Sequence, residues 1–296
     1  MNTQKKSGFV SILGRPNVGK STLLNYLVGE KLAGVSRKPQ TTRETIRGIL
    51  TREEGQVVFL DTPGMHEPRD LLGSKMLREI EESLDGADLF YWMILPEPMT
   101  REEEKILEIV RGLKAPIFLL VNQVDRFPKP HVLPVIDAYK DKLPFQEIIP
   151  ISAKTGINIE ILIQKTFECL PVGAPLFDED QISDQNERFT ASEIIREKVF
   201  RMTRQEIPYA STVVIEDFKD RPDKIAEIHA TIVVERESQK GVMIGKRGEM
   251  MKRIGEASRQ DLERFLGRKV FLKLWVKTIP GWKKDKQAMR ELGYGP

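Results

Sequence analysis

Gly14-Arg15-Pro16-Asn17-Val18-Gly19-Lys20-Ser21 decides the fold of this chain. The octet obeys G-x-x-x-x-G-K-[ST]. It stands between a short apolar run, FVSILG (9–14), and a stretch with helical spacing, STLLNYLVGE (21–30). Strand, glycine-rich loop and helix in that order make a phosphate-binding loop. Glycines let the backbone turn its N–H groups toward a phosphate. A helix starting at Ser21 adds the positive end of its dipole. Lys20 brings a mobile cation to the β- and γ-phosphates, and Ser21 offers a hydroxyl to Mg²⁺. The expected nucleotide contacts here are Gly14, Arg15, Pro16, Asn17, Val18, Gly19, Lys20, Ser21 and Thr22.

Working outward, four more apolar runs follow: QVVFLD (56–61), LFYWMIL (89–95), PIFLLVNQ (116–123) and EIIPIS (147–152). Helix-like segments lie between them, including 73–84 and 101–113. Continuous apolar strands alternating with amphipathic helices predict an α/β domain, a mostly parallel sheet with helices on both faces. The pattern stops near Pro171. PVGAPLFDEDQISDQNE (171–187) has two prolines, a glycine, five acids and no periodicity, and reads as a linker. Beyond it the order is helix (191–205), strands STVVIEDF (211–218) and IHATIVVER (228–236), helices near 240–244 and 249–266, and a final run VFLKLWVKT (270–278). That describes a small α+β domain. The expected division is 1–173, linker 174–188, and 189–296.

Composition excludes other classes. The 296 residues are 40% hydrophobic and 31% charged, as in soluble globular proteins. One cysteine, Cys169, excludes an internal disulfide, and three scattered histidines argue against a His-built metal centre. There is no membrane-length apolar stretch and no signal peptide, so a cytoplasmic location is expected. The net charge of +3 is unevenly distributed. Residues 241–296 carry 14 Lys and Arg against 6 Asp and Glu, leaving −5 for residues 1–240. A basic end points to a polyanion, or to no more than a solvated surface.

Asp61-Thr62-Pro63-Gly64 follows the strand QVVFL. Asp61 can hold Mg²⁺ through water, and the Gly64 N–H can sense a γ-phosphate. Asn122-Gln123-Val124-Asp125 ends the strand PIFLLV. A carboxylate there accepts from guanine N1–H and N2–H₂ together, a donor pair adenine lacks, so Asp125 is the expected guanine selector. The Ser152-Ala153-Lys154 backbone can meet guanine O6.

These motifs, in this order, resemble the translation-factor-related GTPases. Their fourth motif is usually Asn-Lys-x-Asp, and Gln123 replaces a lysine that lies along the base and braces the phosphate loop. Weaker nucleotide affinity with intact guanine selectivity is expected. The resemblance aligns Thr42 with the threonine that closes on Mg²⁺, with Thr41 as the competing choice; Lys20, Thr42 and Gly64 would then act in catalysis. Met65 stands where Ras-like enzymes orient water with glutamine, which implies slow intrinsic hydrolysis. Asn17 is shared with GTPases that bind K⁺ beside the phosphates, which would make it a K⁺ ligand.

Gly245-Lys246-Arg247-Gly248 lies between two helix-like stretches, after two strands. This is the K-homology (KH) pattern, in which a G-x-x-G loop clamps single-stranded nucleotides by their backbone. A packing loop is the bland alternative. In the tail, Trp282, Lys283 and Lys284 suit stacking on bases and attraction to phosphates, although Trp282, beside a proline–glycine turn, could equally be core. Trp275 is expected in the core. Together, GRPNVGKSTLLN, PQTTR, DTPG, IGKRG and the WVK…GW…LGY ending resemble the Era family of bacterial ribosome-assembly GTPases, over about 8–294. The resemblance implies GTP or GDP with Mg²⁺ as cofactors. It implies binding near the 3′ end of small-subunit (16S-type) rRNA on the small ribosomal subunit. It also implies a monomer and loose association with the inner membrane face. A P-loop metabolic kinase would not need NQVD, SAK or a basic G-x-x-G loop. An RNA-binding protein with a vestigial GTPase domain finds support in Gln123 and Met65 alone.

Overall fold

The computed structural model describes residues 4–36, 38, 41–65, 68, 70–221 and 224–295. It forms two compact units, residues 1–32, 42–67 and 76–184 in one, and 33–41, 68–75 and 185–296 in the other.

The first unit follows the phosphate-loop pattern. Its elements are β1 (Lys6–Leu13), α1 (Lys20–Val28), β2 (Ile46–Arg52), β3 (Gly55–Asp61), α2 (Leu71–Leu84), β4 (Leu89–Ile94), α3 (Arg101–Arg111), β5 (Ile117–Val121), α4 (Lys129–Lys140), β6 (Glu147–Pro150) and α5 (Ile159–Cys169). The strand order is β2-β3-β1-β4-β5-β6. All neighbours are parallel except β2 with β3. Strands buried on both faces need helices on both. Phe90, Trp92 and Ile94 point to Ile106, Val110, Val132 and Tyr139 of α3 and α4. On the opposite face the Tyr91 hydroxyl bonds Thr166 of α5. Each parallel strand ends at the same edge, so the loops after β1, β3, β5 and β6 gather there.

Two elements have little signature in the sequence. β2 is a hairpin partner of β3, with Arg52 opposite Gly55. Its pairing comes from a tight turn, not from an apolar run. In α4, prolines at 128, 130 and 134 hide the helix. The first two sit at its start, where the missing N–H costs nothing. The stretch expected as linker also has ordered partners up to Asp184. Gln56, fully buried on β3, accepts from the Leu176 and Phe177 N–H groups at 2.7 and 2.8 Å. Ile49 N–H donates to the Ile182 carbonyl at 2.9 Å.

The second unit contains α6 (Glu187–Met202), α7 (Ile207–Ala210), β7 (Thr212–Asp220), β8 (Ala226–Val234), α8 (Glu237–Ile244), α9 (Glu249–Leu266), β9 (Val270–Thr278) and α10 (Lys286–Glu291). Its sheet runs β7-β8-β9, with β7 antiparallel and β9 parallel to β8. Alternation along β8 sends Ala226, Ile228, Ala230, Ile232 and Val234 into a core with Ile194, Ile195 and Val199 of α6 and Ile254 and Leu262 of α9. Asn186 caps α6 by accepting from Phe189 N–H at 2.8 Å. The short α7 and α10 add to the expected α-β-β-α-α-β order.

Candidate functional site

The loop from Gly14 to Gly19 joins β1 to α1, and Gly19 stands at the helix N-cap with φ 108°. A Cβ there would lie 2.3 Å from Asn122 Nδ2. Only glycine permits both the backbone and that approach. Asn122, 2% exposed, explains the closeness: its Nδ2 donates to the Val18 carbonyl at 2.6 Å, and its Oδ1 accepts from Ala153 N–H at 3.0 Å. One side chain thus ties the phosphate loop to the Ser152-Ala153-Lys154 loop. A brace on the phosphate loop, which Gln123 was expected to have lost with the lysine, is supplied here by position 122. Gln123 adopts φ 66°, and its Oε1 accepts from Arg126 at 2.8 Å.

Lys20 lies 6% exposed, with Nζ donating to the Gly14 and Arg15 carbonyls at 2.9 and 3.3 Å. Burial pushes its ammonium group down to about 8, with the Asp61 carboxylate opposing the shift. Arg15 turns away from the loop: its guanidinium meets Glu97 at 2.5 Å and buried Glu103 at 3.2 Å. The Arg15 charge is thus already matched, by Glu97 ahead of α3 and Glu103 on α3, which leaves only its backbone free to meet a phosphate. Asn17 is exposed with φ 66°, Val18 is buried, and Pro16 packs beside Gly64. Thr22 is half-buried on the first turn of α1.

Three oxygens converge at the start of α1. Ser21 Oγ donates to Asp61 Oδ2 at 2.6 Å and lies 2.9 Å from Thr42 Oγ1, which in turn lies 3.3 Å from the same carboxylate oxygen. Hard oxygen donors with one carboxylate suit Mg²⁺, which keeps waters and phosphate oxygens as its other ligands. Thr41 points elsewhere, donating to the Lys38 carbonyl at 2.9 Å. Among the described residues no group of three or more His, Cys, Asp or Glu could hold a metal by itself. Thr62 Oγ1 donates to the Ile12 carbonyl at 2.8 Å and so tethers the Asp61–Gly64 turn, Pro63 included, to β1. Met65 packs into the apolar cluster of Leu13 and Trp92, which leaves it no chemistry.

At the far loop Asp125 Oδ1 accepts from Ser152 Oγ at 2.7 Å, while Val124 N–H donates to the Ile151 carbonyl at 3.2 Å. Lys154 is exposed.

In the second unit Gly245 (φ 74°) ends α8 and Gly248 (φ 79°) starts α9. A Cβ on Gly245 would meet the Met250 Cβ at 2.8 Å, so the tight turn needs glycine. Lys246 and Arg247 are exposed. An open groove follows, between α9 and β9, lined by Met251, Lys252, Gly255, Arg259, Leu272 and Leu274. Sequence reasoning misses that groove; its signal is the small residue Gly255 one turn beyond apolar Met251.

Two expectations are corrected. Trp282 cannot stack on bases: it is 0% exposed, donates from Nε1 to the Ala210 carbonyl at 3.1 Å, and stacks on Tyr294. Trp275, expected in the core, is 41% exposed. Lys283 is committed to Glu235 at 3.3 Å and Asp70 at 3.7 Å, which reduces its pull on phosphate; Lys284 remains exposed.

Comparison with known proteins agrees with this geometry. Residues 9–123 match a family model described as 50S ribosome-binding GTPase, and 206–283 match the KH domain model. GTPase Era of Geobacter metallireducens is 48% identical over 291 residues, covering 98% of each chain. The chain belongs to the Era family of GTPases. Era of Clostridium tetani is 46% identical over 291 residues, covering 98% of this chain and 99% of its own. A crystal structure of Era in complex with MgGDPNP and nucleotides 1506–1542 of 16S ribosomal RNA is similar at TM-score 0.94 and 40% identity, over 99% of this chain and 100% of that one. A point variant of Aquifex aeolicus Era bound to GDP·AlF4⁻ is similar at TM-score 0.94 and 41% identity, over 98% and 100%. As an Era GTPase the chain hydrolyses GTP, and it joins a P-loop GTPase fold to a KH fold. No helix among the described residues is long and apolar enough to cross a membrane.

Proposed function

We propose that this chain is a GTP-driven switch that holds single-stranded RNA from the 3′ region of small-subunit rRNA and serves small-subunit assembly. The observation that carries the reading is the meeting of Ser21, Thr42 and Asp61 beside Lys20, in a chain that also bears a basic G-x-x-G loop. The RNA target is supported by the 16S fragment bound to the related Era.

Gly14 to Thr22 and Asp61 to Gly64 surround the phosphates. Asn122, Gln123, Val124, Asp125, Ser152, Ala153 and Lys154 surround the guanine. Ser21 and Thr42 would hold Mg²⁺ directly and Asp61 through water; the ion supplies positive charge against the β- and γ-phosphates. Lys20 adds a second charge, and the Gly64 N–H faces the γ-phosphate. Asn17 is the proposed K⁺ ligand, which faster turnover in K⁺ than in Na⁺ would support. With a half-buried Met65 packed against the core where a water-orienting side chain would stand, intrinsic hydrolysis is slow. Gly245, Lys246, Arg247 and Gly248 clamp the RNA backbone, with bases lying in the α9–β9 groove, and exposed Lys284 of the tail adds positive charge.

We take 1–173 as the GTPase domain, 174–188 as the connecting segment and 189–296 as the KH domain; the matched spans 9–123 and 206–283 lie on either side of that segment. The reading places a monomer in the cytoplasm, and its basic end is the feature for any peripheral contact with an anionic inner membrane face.

The test is RNA affinity measured with GDP and with a non-hydrolysable GTP analogue. A difference between the two supports the switch. Equal affinities favour an RNA-binding protein with an uncoupled GTPase domain.

A further inference from the structure

Strand β9 has two faces of different character. Val270, Leu272, Leu274 and Val276 turn toward the helices, as core or groove. The alternate residues Phe271, Lys273, Trp275 and Lys277 turn to the other side of the sheet and are all exposed. Phe271 is 46% and Trp275 41% exposed. Their spacing of four residues is about 13 Å along a strand.

Cations stand over both rings. Lys273 Nζ lies 5.1 Å from the Trp275 ring centre, and the Arg221 guanidinium 5.8 Å from that of Phe271. His229, opposite Lys273 on β8, meets Trp275 edge-on at 5.4 Å. Two acids of this face have cationic partners, Glu227 with Arg221 at 3.5 Å and Asp217 with Lys219 at 2.6 Å, and His229 Nε2 lies 2.9 Å from Glu227; Glu216, exposed at the β7 bulge, stands on the strand farthest from β9. The β9 side is left with the positive charge. The Thr212 end of the sheet is occupied by the C-terminal segment, where the Tyr294 hydroxyl bonds Thr212 at 2.8 Å.

We propose that the outer face of β9 is a second single-stranded RNA contact, separate from the G-x-x-G loop and the α9–β9 groove. Bases stack on Trp275 and Phe271 while phosphates meet Lys273 and Lys277. The alternation of ring and cation matches the alternation of base and phosphate in an extended strand, and that charge pattern favours RNA over a protein occupant. β9 is an edge strand of its sheet, so an RNA leaving the groove at Leu272 and Leu274 reaches this face by passing round one strand. The inference rests on the RNA-binding reading above.

Tryptophan fluorescence of the full-length protein tests it, because Trp92 and Trp282 are both 0% exposed and iodide reaches Trp275 alone. Two RNAs are compared, one of about four nucleotides, which the loop clamps, and one of roughly twelve that shares its 5′ part. The longer RNA should shield Trp275 from iodide and the shorter should not. Trp275→Ala should weaken the longer RNA roughly five- to a hundredfold and leave the shorter unchanged. Trp275→Phe, which keeps a ring, should restore most of the loss and controls for folding. Lys246→Asp with Arg247→Asp should weaken both RNAs. If that double variant weakens both while Trp275→Ala weakens neither, the second contact is overturned and the loop reading stands. If both RNAs bind and neither variant affects either, the second contact and the G-x-x-G assignment are both overturned; if the wild type binds neither RNA, the RNA-binding reading itself fails. If Trp275 becomes shielded as protein concentration rises without RNA, the face is a contact between copies, which overturns the RNA proposal.

Discussion

Nucleotide binding should take up a proton above about pH 8, because burial holds free Lys20 near that value. The ordinary lysine value of 10.5 is lowered by desolvation that Asp61 only partly offsets. With a pKa of about 8, roughly three-quarters of Lys20 is neutral at about pH 8.5, and roughly a tenth at about pH 7. Polyphosphate beside the amine restores the charged form. Binding of Mg²⁺·GDP should then take up about 0.75 proton at the higher pH and about 0.1 at the lower, with affinity falling about tenfold per unit beyond pH 8, or about 1.36 kcal/mol. Calorimetry in two buffers of different ionisation heat measures the uptake directly. Lys20→Arg stays charged throughout and should lose the uptake; whatever it retains belongs to the guanine ring. The reasoning is refuted if the wild type takes up the same amount at both pH values, or if Lys20→Arg keeps the full amount. In the free protein the sign is the reverse of a salt-bridged lysine. Between about 8 and 10.5 the unfolded state holds more protons, so the stability penalty from Lys20 eases as pH rises through that window.

The other expectations are narrower. Asn122→Ala removes two buried hydrogen bonds that tie the phosphate loop to Ala153, and should lower the unfolding free energy of the ligand-free protein by about 2–4 kcal/mol, read by urea titration. Thr42→Ala should abolish most Mg²⁺-dependent hydrolysis and Thr41→Ala should not, because only the Thr42 hydroxyl stands with Ser21 and Asp61; steady-state phosphate release decides between them. Asp125→Asn replaces one of two acceptors by a donor and should cost GTP about 1–3 kcal/mol, with competition by ATP as the check on selectivity. For RNA, the double substitution at Lys246 and Arg247 should flatten the salt dependence by about 1.4 in log–log slope, at roughly 0.7 for each phosphate that is no longer neutralised.

What the sequence determined by itself was local in origin. The phosphate loop, the Asp61 turn, the NQVD and SAK loops and the G-x-x-G loop are contiguous, and their chemistry follows from residue types that few backbones tolerate. Strands β3 to β5 were legible because strands buried on both faces must be apolar throughout, and β6, a half-buried edge strand, by its short apolar run between helical segments. The α/β and α+β division followed from where that pattern stops. Tertiary structure decided whatever depends on a partner distant in the chain. β2 exists because a hairpin pairs it with β3, and Asn122 became a brace because the fold carries it to Val18 and Ala153. Thr42 was distinguished from Thr41 by the direction each hydroxyl takes. The two tryptophans exchanged expectations for the same reason. Trp282, beside a proline–glycine turn, found a carbonyl and a ring to bury against. Trp275 alternates with lysines on an edge strand, a period-two pattern that places a ring beside charge and leaves it exposed.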